Sequence, residues 1–350
     1  MGRYFAVLDA GCSDITAVAA RWNKGGDYTI EGFCHSPSRG IRRGVVIDVA
    51  LATDSIIKVL GKLTEKTGKK IHDVYAGISS TSIDIVPSSG VVLLSKYGRD
   101  VTERDIKRCV RIGSTVKIPL EKEVLHRIVK GFSVDGEEDI KNPLNLEGVK
   151  LTVEMNIVTV NSTVLRNLAK CVSQAGYIPA GFVFSGLVSS YRGLTDEDKH
   201  GNIALLDICN DIAEIMVFSN GVLTGCKVLS VGSDDIIAAD GNIAGEPMGQ
   251  LVSGAASLSG WNRVQEVVII GKGALEDNTI DAMERFFPYR VRAGSCVCKP
   301  FEELPQERYG YIGSLGILDY LQEEKNRRKQ AGNILKRALN RTLGFIDKYF

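Results

Sequence analysis

Residues 8–17, LDAGCSDITA, and residues 206–215, LDICNDIAEI, are two versions of one pattern. In each, an apolar run ends on an aspartate (Asp9, Asp207), a tight polar turn follows, and a second apolar run returns. Residues 4–9 read as a strand, 10–14 as the turn, 15–22 as the returning strand and 28–34 as a third strand. The second copy runs through 203–208, a turn at 209–211, and 212–219, with 222–229 extending the meander. Two copies of strand, Asp, turn, strand, strand predict an internally duplicated α/β fold. Hairpins of this kind facing across a cleft make a nucleotide clamp. Their backbone amides hold phosphates, and the carboxylates organise Mg²⁺ and water.

Between the copies, residues 50–67 carry helical period, with Leu51, Ile56, Val59, Leu60 and Leu63 on one face. Residues 74–78 read as a buried strand. Residues 83–94 and 149–160 alternate like sheet, and 102–116 is expected to be a helix capped by Thr102 with Asp105. Residues 164–174 are helical and stop at Gly176. Residues 267–270 form a strand that runs into Gly271-Lys272-Gly273, and 280–287 is a helix.

Wound at about 100° per residue, residues 334–350 sort into two halves. Ile334, Leu335, Ala338, Leu339, Leu343, Phe345, Ile346, Tyr349 and Phe350, joined by Thr342, fill one half. Lys336, Arg337, Asn340, Arg341, Gly344, Asp347 and Lys348 fill the other. Such a helix lies in a lipid headgroup layer, apolar side down, with Lys and Arg near anionic lipid. Residues 323–333 (EEKNRRKQAGN) read as a polar linker before it, and Lys325, Arg327, Arg328 and Lys329 would add attraction. A helix docked on its own domain or on a partner needs the same apolar face.

With 43 basic and 42 acidic residues the net charge is +1, and no basic patch is interleaved with aromatics, which argues against a nucleic-acid binder. The apolar run at 4–8 is too short for a signal peptide. No stretch approaches the roughly eighteen apolar residues of a membrane span. The cysteines lack framework spacing and suit reduced thiols in a cytosol. Cys296-Val-Cys298 is a lone C-x-C, so no metal site is expected. His35, His72, His126 and His200 have no acid or thiol partner at useful spacing, and read as ordinary surface or core residues. Ser79, Ser80 and Ser82 have no nucleophile-elbow context, so no catalytic residue is assigned. Arg39, Arg42 and Arg43 form a basic turn, read as a solvated loop. Trp22 and Trp261 are isolated.

The two Asp hairpins resemble those of the actin/Hsp70 ATPase superfamily, and particular stretches resemble its FtsA family. They are PSRGIRRGVVIDV (37–49), VYAGISS (74–80), VTERDIKR (101–108) and FSVDGEEDIKNPLNLEGVKL (132–151) with the adjoining IVTV. The resemblance implies an actin-like, duplicated ribonuclease-H-type α/β fold with an inserted small α+β subdomain of the type called 1C and a C-terminal amphipathic helix. Subdomain 1A would span 1–82 and 162–200, the 1C-type insert 83–161, and subdomain 2A 201–322. The linker would take 323–333 and the membrane-targeting helix 334–350. The family's 2B subdomain, which receives the tail of the tubulin-like protein FtsZ, would be reduced to 233–266. That stretch is too short and too poor in large apolar residues for its own core.

The resemblance also assigns the nucleotide site to Asp9, Gly11, Cys12 and Ser13 in the first loop, Asp207 and Asn210 in the second, and Gly271, Lys272 and Gly273 in the adenosine loop. The family's phosphate loops usually read like DIGTTK and DIGGGTTD. Here Cys12 and Asp14 interrupt the first, and Cys209, Asn210 and Asp211 replace the glycines of the second. Ser185-Gly186 stand where the connecting helix commonly has Glu-Pro. Glycine lets backbone approach phosphate with no Cβ in the way. Asp14 and Asp211 would oppose the charge of ATP, at a few kcal/mol each for a separation of about 4 Å and an effective dielectric of about 20. The expectation is a degenerate clamp, with ATP and Mg weak or lost and no hydrolysis. The implied role is a cell-division scaffold on the inner face of the cell membrane. It would self-associate and bind FtsZ or other division proteins, the FtsZ contact weakened by the short 2B. Two alternatives are a PilM-like adaptor of a membrane machine and a working Mg-ATP-binding ATPase.

Overall fold

The computed structural model describes residues 4–236, 245–271, 279–294 and 310–334. Strand β1 (Tyr4–Ala10) pairs antiparallel with β2 (Asp14–Trp22), and β2 with β3 (Tyr28–Pro37). The chain then crosses through helix α1 (Val49–Thr67) to β4 (Asp73–Ile78), parallel to β1. Helix α1 is bounded by local chemistry. Asp48 accepts from the Leu51 amide at one end, and Gly68 in the left-handed region (φ 63°) closes the other.

An insert leaves this frame before it is complete. Strand β5 (Asp84–Leu93), helix α2 (Glu103–Gly113), β6 (Lys122–Val134), β7 (Glu137–Ile140) and β8 (Lys150–Asn161) build a four-stranded sheet ordered β7-β6-β8-β5. Helix α2 lies on it, sealing a separate core of Val92, Val101, Cys109, Leu151, Val153 and Met155. The capping box expected at Thr102 is present, with Thr102 and Asp105 exchanging side-chain-to-backbone bonds. Arg99 adds a forked pair of bonds to the Asp105 carboxylate at 2.7 and 2.8 Å. Those donors hold the carboxyl well below the ordinary range, the Arg99 guanidinium foremost. Thr102→Ala is expected to lower stability by about 0.5–2 kcal/mol in a denaturant titration.

Helix α3 (Ser162–Gln174) and β9 (Ile178–Phe184) complete the first sheet in the order β9-β4-β1-β2-β3, and α4 (Ser185–Gly193) leads out of it. The second half repeats the plan. Strands β10 (Asn202–Ile208), β11 (Ala213–Ser219) and β12 (Val222–Leu229) form the meander. Strands β13 (Glu266–Ile270) and β14 (Arg290–Ala293) add in parallel, in the order β12-β11-β10-β13-β14. The registers coincide: Asp9 faces Thr16 across the first hairpin, and Asp207 faces Glu214 across the second.

Within residues 233–266, expected from the resemblance to be a reduced 2B, lies helix α5 (Gly245–Ala256). It buries Met248, Leu251 and Ala255 on the outer face of the second sheet, beside Trp261 and Val264. Trp261 is not isolated, since its ring packs edge-on to Tyr289. Helix α6 (Thr279–Phe286) lies near β14. Helix α7 (Ile312–Ile334) returns to the first half and crosses α4, with Leu315, Ile317 and Leu318 buried. A Cβ at Gly316 would run into the Val188 carbonyl oxygen, so the crossing is set by backbone contact.

The linker expected at 323–333 is instead helical, because α7 continues unbroken to Ile334. Glu, Lys, Arg, Gln and Ala are good helix formers. Arg327 also pairs with Glu323 one turn back and with Glu324 at 3.1 Å. Trp22, also read as isolated, stacks on Phe5 at 4.9 Å and lies under the Lys325 ammonium at 3.6 Å.

Candidate functional site

Both hairpins turn at the same end of their sheets, and the turns meet. Ser13 Oγ lies 3.3 Å from Asp14 Oδ2 but 2.9 Å from Asn210 Oδ1, and with one proton to give, its shorter bond crosses between the halves. The basic turn also reaches the cleft, through backbone rather than guanidinium. The Arg43 amide donates to Asp211 Oδ2 at 2.8 Å, and the Gly44 amide to Cys12 Sγ at 3.1 Å. Asn210 Nδ2 donates back to Asp234 Oδ1 at 3.1 Å, and the Ser233 amide to the Cys209 carbonyl at 2.8 Å.

Beneath the turns lie three carboxylates. Asp9 accepts from Ser185 Oγ at 3.1 Å and is seated against Gly77 and Gly313, where a Cβ would collide with it. Asp207 is seated in the same way against Gly271 (φ 82°). Glu214 is 1% exposed, and its Oε1 is among the buried polar atoms of the described residues that have no hydrogen-bond partner. Burial raises the pKa of all three. The Ser185 hydroxyl partly offsets this at Asp9, the Asp9 charge adds to it at Asp207, and the Asp207 charge adds to it at Glu214. Burial, with the Asp211 side chain second, pushes the Cys12 thiol up to about 12, so neither it nor Cys209, also raised by burial, is a reactive thiolate.

The structure thus brings together Asp9, Gly11, Cys12, Ser13, Asp207, Asn210 and Gly271. Lys272 and Gly273 lie outside the described residues, as do Cys296 and Cys298. Of the tail residues, Ile334 ends α7, and Leu335, Lys336, Arg337, Leu339, Arg341, Leu343, Phe345, Ile346 and Phe350 lie outside. Sequence reasoning did not single out Glu214, although it stands in the quoted hairpin, nor the backbone of Arg43 and Gly44. Among the described residues no group of three His, Cys, Asp or Glu is arranged to hold a metal ion, and no helix is long and apolar enough to cross a membrane.

These contacts decide whether a nucleotide fits. A triphosphate needs the donors of both turns pointing into a space between them. Here the Ser13 hydroxyl is taken by Asn210 and the Arg43 amide by Asp211. Both donors are thus already engaged across the mouth of the cleft.

A second junction lies behind the cleft. His126 of β6 is buried where the insert, β9 and α7 meet. Its Nε2 accepts from the Phe184 amide at 2.9 Å, so in the neutral ring Nδ1 carries the proton and donates to Tyr320 Oη at 3.0 Å. Nearby, Tyr191 Oη donates to Glu323 at 2.6 Å, and Arg192 pairs with Asp319.

Comparison with known proteins agrees with this architecture. Residues 80–159 match the family described as the SHS2 domain inserted in FtsA. Cell division protein FtsA of Borreliella burgdorferi is 32% identical over 225 residues, 64% of this chain and 54% of that protein. Cell division protein FtsA of Pseudomonas aeruginosa is 28% identical over 235 residues, 67% of this chain and 56% of that protein. The chain spans about half the length of the curated relatives it matches. A solved structure, the PilM-PilN type IV pilus biogenesis complex, shares the fold at 12% identity and a TM-score of 0.62, over 92% of this chain and 98% of that one. A duplicated actin-type fold is thus interrupted in its first half by an insert that matches the SHS2 domain of FtsA, and the chain is similar to the curated FtsA proteins over about two thirds of its length.

Proposed function

We propose that the chain is an actin-like scaffold of cell division that ties cytoplasmic polymer or divisome proteins to the inner face of the cell membrane. The observation that carries this reading is the insert, which matches the FtsA insert domain and interrupts the first sheet of an actin-type body. The amphipathic pattern of residues 334–350 supplies the membrane contact, with anionic lipid as its partner. One such helix binds a bilayer weakly, so self-association of the bodies gives the tails avidity. The subdomain boundaries read from the sequence belong to this proposal, as does a cleft in which ATP and Mg²⁺ bind weakly and are not hydrolysed.

The test is recruitment of purified FtsZ to a supported anionic bilayer by this chain, against FtsZ alone. The expected result is bound chain with FtsZ retained above the control. Bound chain without FtsZ would refute FtsZ as the partner, and failure of the chain itself to bind would refute the membrane role.

A second reading, a PilM-like adaptor that takes up a peptide of a membrane machine, is favoured by one observation. A cavity of 640 Å³ opens between β6, α4, the β11–β12 turn and α7, lined by Arg127, Phe132, Tyr191, Phe218 and Arg327 among others. Strand β7 pairs β6 at Phe132 and Val134, and residues 126–129 of β6 line the cavity. Membrane localisation that survives removal of the tail would favour this reading.

A further inference from the structure

Three segments far apart in the chain converge on the mouth of the cleft: the first turn (residues 11–14), the basic turn (40–44) and the second turn (209–211). Their contacts are reciprocal. The first turn gives its Ser13 hydroxyl to Asn210 and receives the Ser38 amide at its Ser13 carbonyl, 2.8 Å away. The second turn receives the Arg43 amide on Asp211. Gly44, at φ 70°, is pressed so close to Ser79 that a Cβ would overlap the Ser79 carbonyl oxygen, which fixes the path of the basic turn. From behind, the Asp234 amide donates to the Asn210 carbonyl and the Ser233 amide to the Cys209 carbonyl, which ties the second turn to the chain at 233–234.

The chemistry of this set is that of an oxyanion held by amide and hydroxyl donors. In a nucleotide clamp the oxyanion belongs to a phosphate and comes from solution. Here Asp211 supplies the oxyanion, on the Arg43 amide, while the Ser13 hydroxyl goes to the neutral side-chain oxygen of Asn210, and both acceptors are covalently part of the second half. The substitutions that spoil the clamp for ATP are the same ones that fill it.

We propose that Asn210 and Asp211 are a built-in substitute for bound phosphate, latching the two halves together so that the closed cleft does not depend on nucleotide. The latch concerns the cleft alone and stands whether or not the chain acts at a membrane. A protein of this design is not switched by ATP. Any control over its opening acts on the latch: on Ser13, on Asp211, or on the basic turn that seats the Arg43 amide.

The experiment is hydrogen exchange read by mass spectrometry on the full chain, following peptides that cover residues 8–17, 38–48 and 206–215, with and without millimolar Mg-ATP. The Arg43 and Gly44 amides are expected to be protected in the apo chain, with exchange changed less than about twofold by Mg-ATP. Asp211→Ala is expected to speed exchange in all three peptides roughly tenfold, the size of one lost charged hydrogen bond, while peptides from α1 and β8 stay as they were. Ser13→Ala, which removes only a hydroxyl, is expected to open the same peptides to a smaller degree. Apo exchange that is fast and becomes slow only with Mg-ATP would overturn the proposal. So would an Asp211→Ala chain that folds and exchanges like the parent.

Discussion

Leu339→Glu combined with Ile346→Glu is expected to abolish co-sedimentation of the full chain with anionic liposomes, and deletion of residues 333–350 to do the same. Each of the two residues sits in the apolar half of the tail, where full burial of such a side chain is worth about 1.5–3 kcal/mol. Losing both removes about 3–6 kcal/mol, or roughly two to four orders of magnitude in partitioning. The new carboxylates also face an anionic surface that attracts each nearby Lys or Arg by about 1 kcal/mol and repels acids. Raised salt weakens the parent chain without abolishing its binding, because the apolar part is not screened. Binding unchanged in the double variant would refute the anchor.

His126→Ala is expected to be the most destabilising single change outside the hydrophobic cores, at about 3–5 kcal/mol in a denaturant titration. It opens a cavity and orphans two groups at once, the Phe184 amide and the Tyr320 hydroxyl. The same site sets a pH signature. Burial alone holds the imidazole down to about 3, against about 6.5 in an unfolded chain. Between those values the unfolded chain binds a proton that the folded chain refuses. Stability from this site is therefore complete above pH of about 6.5 and falls as pH drops towards 3. His126→Gln, which keeps an acceptor and a donor but does not titrate, is expected to flatten that slope relative to the parent.

What the sequence disclosed depended on how local the cause was. The hairpins around Asp9 and Asp207 were readable because strand, acid and turn are adjacent, and the Thr102 cap because its partner Asp105 is three residues away. Strand β6 was not readable. Against β8 it carries bulges that pass over Lys130 and Leu125, so the alternation of a plain strand is broken in two places. Helix α7 was also hidden. Gly313 and Gly316 look like helix breakers, yet one makes room for Asp9 and the other for the Val188 carbonyl, both well over a hundred residues earlier.

The cleft shows the same limit. Composition exposed the loss of glycines, but not that Asn210 would reach Ser13, 197 positions away. The basic turn was read for its charges, whereas its contacts are made by main chain. At the far end, the polar run 323–333 looked like a tether because nothing in it is apolar enough to pack. Its order comes from charge pairs within one helix and from the Lys325 contact with Trp22.

That continuation of α7 changes what the end of the body can transmit. Twenty-three helical residues at about 1.5 Å each make a spar roughly 35 Å long, bolted at its base to α4. A slack tether would let the chain tumble beneath whatever its end grips. A spar carries torque, and each residue added near position 330 would turn the end of α7 by about 100° about the spar axis. On the proposed membrane role, the body's heading over the bilayer would follow from the screw phase of one helix.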